Sequence, residues 1–223
     1  MILKESLWYR DIIRHRVRPG AVVLNIGSST KQFVEIKQPY IKENVLDELQ
    51  KKGCVVQNVD IKESEGVDFI GDISDPTFAQ FLRARTSDVV ICANAHEHVS
   101  NRGAFSKGLQ SLIQGETILI VSVPCTFPYH EDPIDTMYRV DIEGLSKEFP
   151  NLELLEGDVI GVSYFSVIAR NFGFVQKGIF LIKRTVKLLL AVLTLRWKDA
   201  ADIGWVFRRV YETCAVYKRR PTP

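Results

Sequence analysis

The chain of 223 residues is 46% hydrophobic and 25% charged, with a net charge of +2. It is long and apolar enough for one globular domain with a sizeable core and an appendage. The near-neutral balance implies no strong affinity for polyanions, so no nucleic-acid partner is expected. Cys54, Cys92, Cys125 and Cys214 form no C-x-x-C pair, and three of them lie in apolar, strand-like runs. They read as buried free thiols of a reducing compartment, and no zinc site is suggested. Lys4, Glu5, Arg10 and Asp11 interrupt any apolar N-terminal run, so a cytoplasmic location without a signal peptide is expected.

Ser6 to Arg18 carry Leu7, Trp8, Ile12 and Ile13 as an apolar stripe at helical spacing, and Arg18-Pro19-Gly20 breaks that helix. Ala21-Val22-Val23-Leu24-Asn25-Ile26 then reads as a buried strand of a parallel sheet. Gly27 lets the backbone turn sharply and a ligand come close, and Ser28, Ser29 and Thr30 suit a helix start. Such a junction at the carboxyl edge of a sheet is where nucleotide-like ligands bind in doubly wound folds. G-x-G-x-x-G is absent, so the junction alone is a weak signal, and its weight comes from the residues downstream of it.

Pro39 splits the next stretch, which predicts a helix over Ile41 to Lys52 closed by Gly53. The second strand, Cys54 to Asp60, ends in an acid. A strand-end carboxylate at this distance from a glycine turn suits a ribose diol, whose two hydroxyls face one bidentate acceptor. Val67 to Ile73 is a short strand or loop, and Pro76 opens a helix to Arg85. Ser87 to Asn94 is a fourth strand, with Ala95-His96-Glu97-His98-Val99 at its carboxyl edge. A helix over Phe105 to Gln114 and a strand over Thr117 to Pro124 come next. Regular alternation of strand and helix predicts a parallel α/β sheet.

Cys125 to Arg139 is a long loop dense in aromatic, histidine and carboxylate side chains, the composition of an active-site cover. His130, Asp132 and Asp135 have a spacing that could ligate a divalent cation, but nothing fixes its geometry and no metal is expected. Asp141 caps a short helix to Phe149, and Leu152 to Val167 holds one or two strands split near Glu156-Gly157-Asp158. The apolar run 179–197 is interrupted by Lys183, Arg184 and Lys187, too charged to span a membrane. It reads as a helix for a membrane face, a homodimer contact or the chain's own core. Ala200 to Tyr217 is predicted as a last amphipathic helix. The organisation expected is a domain over 1–170 and a helical extension over 171–223.

With these stretches aligned, the chain resembles the class I S-adenosylmethionine-dependent methyltransferases, and more narrowly their type 11-like group acting on glycans and other small molecules. The resemblance runs from about Val22 to Val167. Val23-Leu24-Asn25-Ile26-Gly27-Ser28 stands where the family has its glycine-rich first motif. Asn25 replaces the usual acid there, and Ser28 and Ser29 stand where further glycines are common. Asp60 stands at the ribose-binding acid, Gly71-Asp72-Ile73 where an acid and its apolar neighbour hold the adenine, and Asp88 to Val99 at the fourth motif. Phe127 to Asp135 with Tyr138-Arg139 resembles a loop typical of the group, the most specific match.

The resemblance implies a Rossmann-like, doubly wound, mostly parallel seven-stranded sheet with helices on both faces. It implies S-adenosyl-L-methionine as cofactor, held by Asn25, Gly27, Ser28, Ser29, Asp60, Ile61, Asp72, Ile73, Asn94, Ala95 and His96. It implies Tyr129, Asp135, Tyr138 and Arg139 as acceptor-binding residues. Methyl transfer from a sulfonium is an in-line displacement, so the protein chiefly holds the acceptor close and aligned. A hydroxyl acceptor needs a base, for which His130 is the first choice, oriented by Asp132 or Asp135, with His98 or His96 second. The activity implied is O-methylation of a sugar, glycan or other small acceptor in polysaccharide biosynthesis. A lipophilic quinone-like acceptor, a non-catalytic subunit with this fold and a nicotinamide-dependent dehydrogenase are the alternatives.

Overall fold

The computed structural model describes residues 1–130, 134–168 and 208–221, together with Lys183 and Val186. Its sheet is built around β1 (Val22–Ile26), in which Val23, Leu24 and Ile26 are all buried. β1 pairs in parallel on both sides, with β2 (Val55–Asp60) and β4 (Val89–Ala93). β3 (Phe69–Ile70) extends the sheet beyond β2, and β5 (Ile118–Thr126) extends it beyond β4. β7 (Arg209–Arg219) lies between β5 and β6 (Leu152–Ser163), antiparallel to both. The order is β3-β2-β1-β4-β5-β7-β6. The chain winds one way from β1 and the other way from β4. The crevice between their carboxyl ends is therefore the topological switch point, where ligands bind in such sheets.

Successive side chains of a strand point to opposite faces, and each face carries its own core. On one, Leu24, Val90, Cys92 and Leu119 meet Leu82 of α4 (Pro76–Arg83), Leu109 of α5 (Arg102–Leu112) and Leu145 of α6 (Ile142–Glu148). On the other, Val23, Val89, Ile91 and Ile120 meet Tyr9, Ile12 and Ile13 of α1 (Leu3–Arg16). The helix expected over Ile41 to Lys52 starts earlier and is irregular. π-helical turns Phe33–Lys37 and Lys42–Leu46 alternate with the short helices α2 (Pro39–Ile41) and α3 (Asp47–Lys51). Pro39 explains the break, since it has no N–H to donate. Gly53 stops the run at φ 69°, as its place after the last turn requires. Side chains of Asp75, Asn101 and Asp141 cap α4, α5 and α6.

The end of the chain corrects the sequence reading. Of the helix expected over Ala200 to Tyr217, residues 200–207 lie outside the described residues and the rest is instead the strand β7, so 209–219 belong to the sheet and not to a helical extension. Val210, Thr213, Cys214, Ala215 and Val216 are all fully buried. A strand covered on both faces shows no alternation of polar and apolar residues, and Glu212 and Thr213 make this run look amphipathic. Leu152 to Ser163 is one strand with an irregularity at Leu155, not two, and α7 (Tyr164–Ile168) comes after it. All four cysteines are free thiols; Cys92 and Cys214 are buried, while Cys54 and Cys125 are partly exposed. Apart from Lys183 and Val186, the run 179–197 lies outside the described residues. Among the described residues no helix is long and apolar enough to cross a membrane.

Proline at position 216 would remove a ladder hydrogen bond from the interior of the sheet. Val216→Pro should abolish cooperative folding, read by denaturant unfolding; a loss below about 1 kcal/mol would contradict the central position of β7. A second prediction concerns Glu48 beneath α1, whose oxygens accept from Arg14 Nε and Lys51 Nζ, each at 2.6 Å. The Arg14 hydrogen bond, then that of Lys51, pulls its pKa down to about 2 from 4.5. A depressed carboxylate stabilises the fold above its unfolded pKa and loses that contribution as pH falls toward the folded value. Melting temperature should therefore fall less between pH 5 and 2 in Glu48→Gln than in the parent chain.

Candidate functional site

The turn after β1 is held from below by the end of β2. Gly27 and Ser28 donate their N–H groups to the Val59 carbonyl at 2.8 and 3.2 Å. Ser29 donates its own to Asp60 Oδ2 at 2.8 Å, and Lys62 N donates to Oδ1 at 3.0 Å. Gly27 sits at φ 70°, and a Cβ there would come within 3.1 Å of the Ala95 Cβ. Glycine is thus required twice over, for its backbone conformation and for the closeness of the β4 turn. Asn25 donates to Asn58 Oδ1 at 2.9 Å. Asn94 is held at φ 50°, with its Nδ2 on the buried carboxylate of Glu5.

Above this turn opens a cavity of about 930 Å³, ample for a cofactor with its acceptor. Of the cofactor residues expected from the sequence, Asn25, Gly27, Ser28, Ser29, Asp60, Ile61, Asp72, Ile73, Asn94 and Ala95 all line it. His96 does not. Its ring is fully buried among Phe105, Tyr138 and Phe149, and neither ring nitrogen has a hydrogen-bond partner among the described residues. Burial pushes its pKa down to about 4, so this imidazole is a neutral core side chain.

The other end of the cavity is lined by Glu97, His98, Pro124, Phe127, His130 and Glu212. His98 Nδ1 lies 2.5 Å from the Ile134 carbonyl, and its Nε2 lies 3.7 Å from Glu97 Oε1. His130 stands edge-on to His98, with ring centres 5.1 Å apart. Burial lowers its pKa against the pull of the Pro128 carbonyl. Glu97 is buried, neither of its oxygens has a hydrogen-bond partner among the described residues, and burial raises its pKa to about 7. Glu212 of β7 is pushed up by burial and by the nearby Glu5. Glu97 stands in plain view in the His-Glu-His triplet, yet local pattern assigns it no role. Glu212 is hidden in a run whose spacing imitates a helix.

The loop that carries His130 is braced by an ion pair. The Asp135 side chain is fully buried and takes both Arg139 Nη groups at 2.6 and 3.1 Å, the His130 N–H at 2.9 Å and the Met137 N–H at 2.8 Å. Burial alone would raise its pKa; Arg139 and the two N–H groups outweigh it and hold the carboxyl at about 2. Arg139 also donates to the Phe127 and Pro128 carbonyls. Tyr138 is a core residue whose hydroxyl donates to Glu148, with Arg102 over its ring. Tyr129 is exposed. None of these four lines the cavity, which corrects their expected acceptor contacts. Asp132 lies outside the described residues.

No family model matches the sequence, and no curated protein does. Solved structures do match. The MccD protein superposes with a TM-score of 0.56 at 11% identity, covering 96% of this chain and 97% of that one. Coclaurine N-methyltransferase bound to N-methylheliamine and S-adenosylhomocysteine gives 0.56 at 14%, covering 97% and 71%. The [4+2]-cyclase SpnF gives 0.52 at 12%, covering 99% and 81%. The chain has the fold of the class I S-adenosylmethionine-dependent methyltransferases: a seven-stranded, mostly parallel sheet with its cavity at the switch point. The cyclase is a reminder that this fold also carries other chemistry.

Removing one member of a buried, hydrogen-bonded ion pair leaves the other uncompensated. Asp135→Ala should cost about 3 kcal/mol in chemical denaturation and expose the loop to protease. Unchanged stability would show that the Asp135–Arg139 pair does not brace it.

Proposed function

We propose that the protein is an S-adenosylmethionine-dependent methyltransferase acting on a hydroxyl of a sugar, glycan or other small acceptor. The observation that carries the reading is one cavity with two unlike ends. One end has the Asp60 carboxylate beside the Gly27 turn, and the other has two imidazoles beside a buried carboxylate. The residues fit the cofactor. Asp60 spends one hydrogen bond per oxygen on the backbone and keeps lone pairs for two ribose hydroxyls. A side chain at Gly27 would intrude where the turn meets Ala95. Asp72 and Ile73 offer an acceptor and an apolar wall for the base. Bound there, the cofactor supplies a methyl group on a sulfonium.

The chain's own residues do the rest. The cavity walls hold the acceptor in line and exclude water. His130 is the imidazole that takes up the hydroxyl proton, with Nδ1 3.3 Å from the Pro128 carbonyl and 3.4 Å from Asp135 Oδ2. That arrangement leaves Nε2 as the acceptor of the proton. Asn25 cannot form the ion pair that the family's usual acid would, so the grip on the cofactor falls more heavily on Asp60.

Calorimetry with S-adenosylhomocysteine tests the cofactor end. Asp60→Ala should weaken binding by roughly 10- to 100-fold, the worth of hydrogen bonds to a charged group; equal affinity would remove Asp60 from the site. At the acceptor end, His130→Ala should lower turnover by about 10²-fold or more while cofactor affinity stays within twofold of the parent. Full turnover would exclude His130 as the base.

A further inference from the structure

We infer that Glu97, His98 and His130 form a binding site for a divalent transition-metal cation at the acceptor end of the cavity. Each side chain offers one ligand atom, and the three atoms lie within 4.8 Å of one another. They come from two segments, the turn after β4 and the loop after β5, which the sheet brings side by side. His98 Nδ1 faces the Ile134 carbonyl at 2.5 Å, and His130 Nδ1 faces the Pro128 carbonyl at 3.3 Å. A ring that donates Nδ1–H to a backbone carbonyl presents Nε2 as a lone pair in a fixed orientation, the usual support of a metal-bound imidazole. The His98 Nε2 accordingly points at Glu97, 3.7 Å from Oε1.

Glu97 supplies the independent observation. Its side chain is only 1% exposed, it lines the cavity, and neither oxygen has a hydrogen-bond partner among the described residues. Burying a carboxylate without donors is costly, and a cation removes that cost. Glu212, with its Oε2 also unpartnered, lines the same cavity. The chain's N-terminal ammonium and Arg139 are opposing charges nearby, and Asp135 neutralises Arg139. Two imidazoles and one carboxylate suit zinc, iron, manganese or cobalt better than magnesium or calcium. At bond lengths of about 2.0–2.2 Å the ligand atoms must draw closer than they stand.

Three protein ligands leave coordination positions open toward the cavity. The acceptor hydroxyl fits there, and this part of the proposal rests on the methyl-transfer reading. The cation lowers the hydroxyl's pKa and the O–H proton leaves to water, a role that then passes from His130 to the metal. The new O–CH3 bond forms as the S–CH3 bond breaks. Its electron pair stays on sulfur, giving a neutral thioether.

The test uses the full chain, stripped with a chelator and checked by circular dichroism. It is titrated with Zn2+ by calorimetry and with Co2+ by visible absorption. One equivalent should bind with micromolar or tighter affinity. Glu97→Gln, His98→Ala and His130→Ala should each weaken it at least about tenfold, while the exposed His15→Ala leaves it unchanged. Glu97→Gln is nearly isosteric, so its loss of binding is not a loss of fold. No binding below millimolar, or binding indifferent to all three substitutions, would overturn the cation site. The two readings separate cleanly. A chain that binds S-adenosylhomocysteine but no cation loses only this inference. A chain that binds the cation but no cofactor loses the methyl-transfer reading instead.

Discussion

At the carboxyl edge of the sheet the Ser29 amide donates to Asp60, and the Gly27 and Ser28 amides donate to the carbonyl of Val59. These contacts tie the turn after β1 to the end of β2, so the floor of the cavity has one shape before any ligand arrives. Gly27 is needed at φ 70°, and Ser29 sits close by at φ 60°, a conformation a non-glycine residue adopts only when its surroundings demand it. The demand here is the carboxylate that Ser29 reaches. Asp60 thus acts on the backbone of its own chain first, and what it has left is offered upward. A preorganised acceptor spends less on ordering when a ligand binds.

The opposite end of the cavity is built differently. There the chain buries carboxyl groups, and burial pushes them toward their neutral forms. Glu97 and Glu212 are withdrawn from water with orphaned oxygens, and His98 and His130 are held by backbone carbonyls so that one nitrogen of each is committed. The ion pair of Asp135 with Arg139 lies outside the cavity lining and braces the loop. Unsatisfied polar groups are rare in native cores, and each asks for an explanation. Here Glu97 and Glu212 bring theirs to the lining of one cavity.

The end of the cavity at the Gly27 turn is legible in the sequence because local chemistry decides it. A buried run ending in Gly27, a strand ending in Asp60 and an acid beside Ile73 are each readable within a few residues, and ten of eleven expected positions line the cavity. His96 is not separable from His98 by pattern, since two positions along the chain decide between a core ring and a cavity ring. The end of the cavity with His98 and His130 is less legible because it depends on long-range packing. Tyr138 turns inward to Glu148, and Arg139 spends its donors on Asp135 and the loop carbonyls. β7 misleads for the same reason: a strand buried on both faces loses the period-two signal, and its pairing partners lie far away in the chain.

A crystal structure of the chain with S-adenosylhomocysteine tests the central claim most directly. The account predicts both ribose hydroxyls within hydrogen-bond distance of Asp60, the backbone of Gly27 against the ligand, and the sulfur facing His98 and His130. A ligand seated elsewhere, or a ribose that makes no contact with Asp60, would contradict it.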